Sequence, residues 1–533
     1  MVSKEEWRWL RIAGLLIILF TTIPYLAGYF QQSDDWRFSG FLLGLEDGNS
    51  YIAKMLTGTY GSWLFRSPYS VMPQTGVVAF LPYILLGKLA YPPEAHDQLV
   101  ALFHIFRFFA GGFLIWVTYL FCSKFIEKVV YRRLASLMIL LGGGLGWTGL
   151  ILTGGNTGWG GSLEFYSPEA FGFLSLLGLP HLIMARGLLL LGFVYFLKSL
   201  EKEKSWENSV KGGICWFFIG FFQPLTIVIG YGVLGCYLLI QLILTEKQKW
   251  GSVLRYAGNG AIMAGISSPW VLYNFLFFNS DPYLKAWYGQ NIISSPPVVD
   301  YLLSFGVFLV VGIPGLVQIF KMQSKKYFIL PAWILCAGIL AYAPYNLQRR
   351  FIDGIWVAIV ILIFFSLESI LRKPASRLIA RVVISLSFIS PILILMVVLM
   401  GILKPAEPVF RSANEIKMVN TLEKQVSPGD VIVSDYKTAN SLPAWIPVRV
   451  IAGHGPESVN LKNELSNIER FFSDQNDEQW QRDFIKINQI RFIVITPETT
   501  RLYGWHLADG LPLQKIYDSG DYKVYRVEMN NAP

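Results

Sequence analysis

The chain has 533 residues, of which 53% are hydrophobic and only 15% charged, with a mean hydropathy of +0.45. So few charges exclude an ordinary soluble globular protein, whose chains run about 25% charged, and indicate a polytopic membrane protein. The net charge of +9 does not indicate nucleic acid as a partner, because the basic residues sit in short loops between apolar spans, where membrane topology explains them.

In chain order, Leu10–Ala27 follows Lys4, Arg8 and Arg11 and reads as an anchor rather than a cleavable signal. Apolar runs long enough to cross a bilayer lie near 9–29, 98–121, 134–153, 173–198, 211–228, 229–245, 254–278, 300–320, 327–345, 351–371 and 379–403. About 11 transmembrane helices are therefore expected over 1–403. Val77–Ala90 is apolar but short and contains Pro82; as a helix it would rise about 21 Å against a hydrocarbon core of about 30 Å. If this segment lies on the surface as an interfacial or re-entrant helix, the clusters Lys124/Lys128/Arg132/Arg133, Lys247/Lys249/Arg255 and Lys321/Lys325/Lys326 all fall on the cytoplasmic side. If it spans, the rule fails repeatedly.

The same alternation puts the first outer loop, 31–97 with its interfacial helices, and the tail, 404–533, outside. The tail reads as a small soluble α/β domain: short strands at Asp430–Asp435, Val448–Ala452 and Ile490–Thr496, helices at Asn460–Phe472 and Glu478–Ile487, and a hairpin over Gln514–Val527. It has no nucleotide-binding glycine pattern. The four cysteines form no CxxC and read as small buried hydrophobes.

The first outer loop holds two adjacent acidic pairs, Asp34/Asp35 and Glu46/Asp47. Tyr51–Met55 is expected to lie along the interface as an amphipathic run. A carboxylate held near the membrane surface can take the proton of an acceptor hydroxyl as that hydroxyl attacks a sugar carbon. Such acids also cap helices, a role that Asp47 could combine with chemistry; Asp34 and Asp35 read as a solvated turn. Arg349 and Arg350 form an adjacent pair on the outer side, where basic residues are scarce. Guanidinium binds phosphate in a bidentate fork and stabilises charge growing on a leaving phosphate; the bland alternative is snorkelling toward headgroups.

Arg107, His181 and Arg186 fall inside apolar spans, where ionisable side chains normally face a cavity. Glu164 and Glu169 lie in an outer loop and could supply a second carboxylate or a metal ligand. Asp281, Tyr283, Trp287 and Tyr288 form an aromatic outer segment suited either to stacking on sugar faces or to an interfacial belt. Carboxylate pairs suit a divalent cation such as Mg²⁺ or Mn²⁺, but no spaced ligand cluster requires one, and the metal stays open.

The stretch Glu46-Asp47-Gly48-Asn49-Ser50-Tyr51-Ile52-Ala53-Lys54-Met55, then Gly58, then Gly61-Ser62-Trp63-Leu64-Phe65-Arg66-Ser67-Pro68, resembles the GT-C superfamily of integral-membrane glycosyltransferases, particularly protein mannosyltransferases and aminoarabinose transferases. Those enzymes carry an acidic pair, a Tyr and a Gly-x-Trp in the first outer loop. The resemblance implies Asp47 as catalytic base with Glu46 supporting it, and a polyprenyl-phosphate sugar as donor. The acidic order here is Glu-Asp where relatives often read Asp-Glu, which leaves open which carboxylate is the base. Tyr51, Lys54 and Arg66 in this stretch, with His181, Arg186, Glu164 and Glu169, are candidate substrate-binding residues.

The expected function is an inverting glycosyltransferase of the plasma (inner) membrane, with its active site and tail extracytoplasmic. It would transfer a sugar from a polyprenyl-phosphate donor to a hydroxyl on a glycan, lipid or protein. A transporter or flippase of lipid-linked sugars would instead show paired half-molecule repeats and charges near the midplane, and no repeat is present. A non-catalytic membrane scaffold is the other alternative.

Overall fold

The computed structural model describes residues 2–152, 162–201, 203–369, 373–473, 477–505, 507 and 510–528. The ends of the predicted spans 134–153 and 351–371, and part of the outer loop before Glu164, lie outside the described residues. The chain divides into two compact units. One comprises Met1–Ile23, Phe106–Phe275 and Ile292–Leu399; the other comprises Pro24–Ile105, Leu276–Asn291 and Met400–Pro533. The expected division at 403/404 therefore meets a second unit that also contains the first outer loop and residues 276–291.

Among the described residues, eight helices are long and apolar enough to cross a membrane, and the protein is an integral, multi-pass membrane protein. The other three predicted spans are helical but shorter: Val129–Leu141, Ser205–Ile219 and Ile329–Leu340, of 13, 15 and 12 residues. Sequence explains each stop. Gly142-Gly143-Gly144, Pro224 and Pro344 follow them, and glycine and proline are the residues that helices carry worst.

In the first unit, the helix Ile355–Ser369 is buried almost from end to end, from Ile355 at 8% to Ile359 at 0% exposure. Its neighbour Val307–Met322 approaches it at Gly315, where a Cβ would come within 2.5 Å of Ser366 Oγ. Small residues allow this closeness, and Gly315 N–H donates to that hydroxyl at 2.7 Å.

The second unit holds a two-stranded antiparallel ribbon, β1 (Trp36–Phe38) with β2 (Phe410–Ser412), which ties the first outer loop to the tail. It also holds a five-stranded sheet. The strands are β3 (Val431–Val433), β4 (Arg449–Val450), β5 (Ile490–Ile495), β6 (Leu513–Asp518) and β7 (Lys523–Val527), in the order β4-β3-β5-β7-β6. β3 is parallel to β4 and β5, and β7 is antiparallel to β5 and β6. Each expected strand of the tail is present. At the ends of β3 and β5, buried Asp435 accepts hydrogen bonds from the hydroxyls of Thr438, Thr496 and Thr499 and pins the two loops together.

The helix Leu45–Thr59 corrects one expectation. Tyr51–Met55 does not lie along an interface: Ile52, Ala53, Met55 and Leu56 are 0–2% exposed. The reason is packing on two sides, against the short helix Leu81–Gly87 and the helix Tyr436–Trp445 of the tail. Backbones nearly touch at the first contact, where a Cβ on Gly58 would meet Ile84 O at 2.0 Å and one on Gly87 would meet Met55 O at 1.7 Å. Thr59 Oγ1 donates to Gly87 O at 2.7 Å across the same contact. Of the predicted surface segment 77–90, only Leu81–Gly87 is α-helical.

Candidate functional site

Gly44 adopts a left-handed φ of 56° and starts the helix Leu45–Thr59, placing Glu46 and Asp47 in its first turn. Acids are favoured there by the helix dipole. One turn on, Gly48 is in close packing: a Cβ there would meet the Phe41 ring at 2.5 Å. The chain can therefore bring this turn hard against the protein while both carboxylates stay exposed.

The two acids meet different partners from the tail. Glu46 Oε2 accepts from Tyr436 Oη at 3.0 Å. Asp47, its side chain 53% exposed, lies 3.2 Å from His454 Nε2 through Oδ1. His454 is buried, and its Nδ1 stands 3.3 Å from Glu457 Oε1, an ion-pair contact rather than an aligned hydrogen bond. Beneath it Glu457 accepts from Lys54 Nζ at 2.5 Å, from Ser50 Oγ at 2.6 Å and, through Oε2, from Ser67 Oγ at 2.6 Å. Lys54 Nζ also donates to Ser50 Oγ and lies 4.4 Å from the centre of the Phe80 ring. Asp47, His454, Glu457 and Lys54 thus form a line of alternating charges running from solvent into the protein.

The electrostatics follow the geometry. Burial alone would lower the His454 imidazolium, but the hydrogen bond to Asp47 and the Glu457 carboxylate override it and push it up to about 9. Burial would raise Glu457, yet the Lys54 charge and the His454 contact hold it well below the usual carboxylate range. Burial raises the Tyr436 phenol, with the Glu46 and Asp47 charges adding to it.

The remaining expected residues fall as follows. Lys54 is 1% exposed and paired with the buried Glu457. Tyr51 is buried and stacks on Tyr83 with centroids 4.9 Å apart. Arg66 Nε donates to Gln74 O at 3.4 Å on the surface. Asp281 caps the helix Pro282–Gln290 through Leu284 N and also accepts from Thr75 N. Tyr283 is 1% exposed and donates to Glu457 O at 3.0 Å; it belongs to the interior and not to a stacking platform.

A second group of charged residues lies in the first unit. Arg186 is buried with Asp353 at 2.6 Å and donates to Pro168 O and Glu169 O. Glu169 lies 3.6 Å from Arg350 Nε, and the Arg349 guanidinium stacks 4.9 Å from the Tyr166 ring centre. Glu164 is buried, accepting from Trp147 N at 2.9 Å and Ser304 Oγ at 3.0 Å; burial raises its carboxyl. His181 is buried in the helix Pro180–Ser199. Arg107 is buried and satisfied by Thr21, Thr22 and Leu176 oxygens. Arg349 Nε and Arg350 Nε are buried without a hydrogen bond, and Arg350 Nε has the Glu169 carboxylate as its ion-pair contact.

The residues that sequence reasoning passed over are His454, Glu457 and Tyr436, on the tail, and Asp353 beside Arg186. His454-Gly455-Pro456-Glu457 offered a signal, a histidine and an acid flanking a turn. Nothing in its spacing pointed 407 residues back to Asp47. Among the described residues, no group of three or more His, Cys, Asp or Glu is arranged to hold a metal ion.

No protein-family model and no curated protein sequence matches the chain. Solved structures do. An oligosaccharyltransferase, AglB of Archaeoglobus fulgidus, in complex with an inhibitory peptide and a dolichol-phosphate, superposes with a TM-score of 0.51 at 13% identity, covering 100% of this chain and 75% of that one. The same enzyme in complex with Zn and sulfate gives 0.51 at 12% identity, covering 96% and 74%. ArnT of Cupriavidus metallidurans in the apo state gives 0.51 at 11% identity, covering 96% and 98%. Both enzymes are GT-C superfamily membrane glycosyltransferases, and the chain has their fold.

Proposed function

We propose that this GT-C-fold chain is an inverting glycosyltransferase that moves a sugar from a polyprenyl-phosphate donor to an acceptor hydroxyl at the outer face of the plasma membrane. The observation that carries this reading is the half-exposed Asp47 carboxylate, anchored through one oxygen to a buried, charged His454. A carboxylate so held is a general base in a fixed place. The dolichol-phosphate and inhibitory peptide in the AglB complex support a lipid-phosphate carrier and a separate acceptor.

The acceptor oxygen bonds to the anomeric carbon from the face opposite the phosphate. Its proton passes to Asp47, while the bond from that carbon to the phosphate oxygen breaks and the electron pair leaves with polyprenyl phosphate. Arg349 and Arg350 take up the growing phosphate charge. The Nε atoms of both are buried without a hydrogen bond, Arg350 Nε facing only the Glu169 carboxylate at 3.6 Å, which supports that role because guanidinium N–H groups bind phosphate oxygens in charge-assisted hydrogen bonds. Glu46, engaged by Tyr436, supports the turn that carries Asp47. The protein's own groups account for each proton and charge in this scheme, so no step is assigned to a metal.

Polyprenyl phosphate binding to the protein in nanodiscs tests the phosphate role. Two charge-assisted contacts contribute about 1.5–3 kcal/mol each, so Arg349→Ala/Arg350→Ala should weaken binding at least about a hundredfold. Unchanged affinity removes both arginines from the site.

A further inference from the structure

The turn that carries His454 is built with unusual closeness. Gly453 N and His454 N both donate to Ser458 Oγ, at 3.0 and 3.1 Å, while Glu457 N and Ser458 N return to His454 O at 3.0 and 2.8 Å. A Cβ on Gly453 would lie 2.5 Å from the Ala439 backbone, so the turn packs directly on the helix Tyr436–Trp445. The imidazole is 5% exposed and sits 5.4 Å from the Tyr69 ring. Two carboxylates flank it, Glu457 from its own turn and Asp47 from the first outer loop. Lys54 lies beyond Glu457, and the Tyr436 phenol reaches the neighbouring Glu46. A histidine serving packing alone needs neither carboxylate. Of the four charged groups in the line, Asp47 is the one that reaches solvent, its side chain 53% exposed against 1–5% for the other three.

We propose that His454 is the positioning residue of the base: its Nε2–H holds Asp47 Oδ1 and so fixes where the half-exposed carboxylate meets the acceptor hydroxyl. The buried Glu457–Lys54 pair fixes the imidazole from behind. The inference rests on reading Asp47 as the base, and it makes the C-terminal tail a contributor to the site rather than an appended module. A fixed carboxylate matters because a misplacement of about 1 Å can cost about a hundredfold in rate.

The sign of the pH dependence is set by the raised His454. Its charge is fully present below the ordinary histidine value of 6.5 and is lost as pH rises through about 9. Positioning should fail on the alkaline side, with no loss at neutrality.

The test uses the full chain in proteoliposomes, with polyprenyl-phosphate mannose as probe donor, a soluble mannoside as acceptor, and released polyprenyl phosphate as readout. His454→Ala should lower kcat by about a hundredfold while changing the KM for donor less than about threefold. His454→Gln, whose amide can donate from nearly the same place, should recover most of kcat at neutral pH and lack the alkaline fall. A folded His454→Ala protein with full kcat overturns the proposal, as does a His454→Gln protein that keeps the alkaline fall. Histidine ¹⁵N spectra need no turnover. The protein has five histidines, and His454→Gln identifies the resonance. It should remain imidazolium at pH 8 and titrate lower in Asp47→Asn; no movement in that variant also overturns the contact. Full turnover in Asp47→Asn defeats the base reading itself. Loss in Asp47→Asn with full turnover in His454→Ala defeats the positioning role alone.

Discussion

Asp47→Asn is expected to lower turnover by about 10²- to 10⁴-fold, the range over which a positioned general base acts, equivalent to about 3–5 kcal/mol in the barrier. The substitution is nearly isosteric. Its amide oxygen can still accept from His454 Nε2, so the turn should remain folded and the melting temperature should move little. Glu46→Gln should cost much less, because Glu46 already accepts from Tyr436 Oη at 3.0 Å and an amide oxygen can accept the same bond. The pair of variants thereby decides which carboxylate is the base, a choice the Glu-Asp order left open. A larger loss in Glu46→Gln than in Asp47→Asn would reverse the assignment.

The second large effect is on stability. Glu457→Gln should destabilise the second unit by about 3–5 kcal/mol, because it leaves the Lys54 charge, 1% exposed, with no compensating carboxylate. Lys54→Met should cost a similar amount by stranding Glu457. The double variant should be less destabilised than the sum of the two, since removing both charges strands neither; in a cycle of chemical unfolding, a coupling of at least about 1 kcal/mol is expected. Strict additivity would mean that the two charges do not interact. Two groups set the pH window. Glu457 is depressed, so its contribution is present above the ordinary glutamate value of 4.5 and is lost as pH falls below it. His454 is raised, so its contribution is present below 6.5 and is lost through about 9. Both are fully in force between about 4.5 and 6.5, where thermal stability of the second unit should peak.

How far the sequence could be read depends on the range of the interactions involved. Apolar runs such as Leu225–Leu244 and the strands around Val431 and Ile493 announce themselves because hydrophobic periodicity is local. The outer acidic loop was legible too, since Glu46 and Asp47 sit together beside glycines that shape the turn. What did not show was partnership. Lys54 read as part of an amphipathic interfacial run, but its ammonium lies against the Phe65 and Phe80 rings and Glu457 neutralises it across 403 residues of sequence. Arg186 read as a candidate ligand residue until Asp353, 167 residues on, supplied its counter-ion. Such pairings are fixed by tertiary packing, and a single sequence carries no trace of them.

The most direct test of the glycosyl-transfer claim follows a single carbon. A polyprenyl-phosphate sugar labelled with ¹³C at the anomeric position is supplied to the protein in proteoliposomes with a hydroxyl acceptor, and the product is read by NMR. The account predicts a new glycosidic bond of inverted anomeric configuration, formed together with free polyprenyl phosphate and lost in Asp47→Asn. Retained configuration, or labelled donor that crosses the bilayer with its sugar–phosphate bond intact, would contradict it.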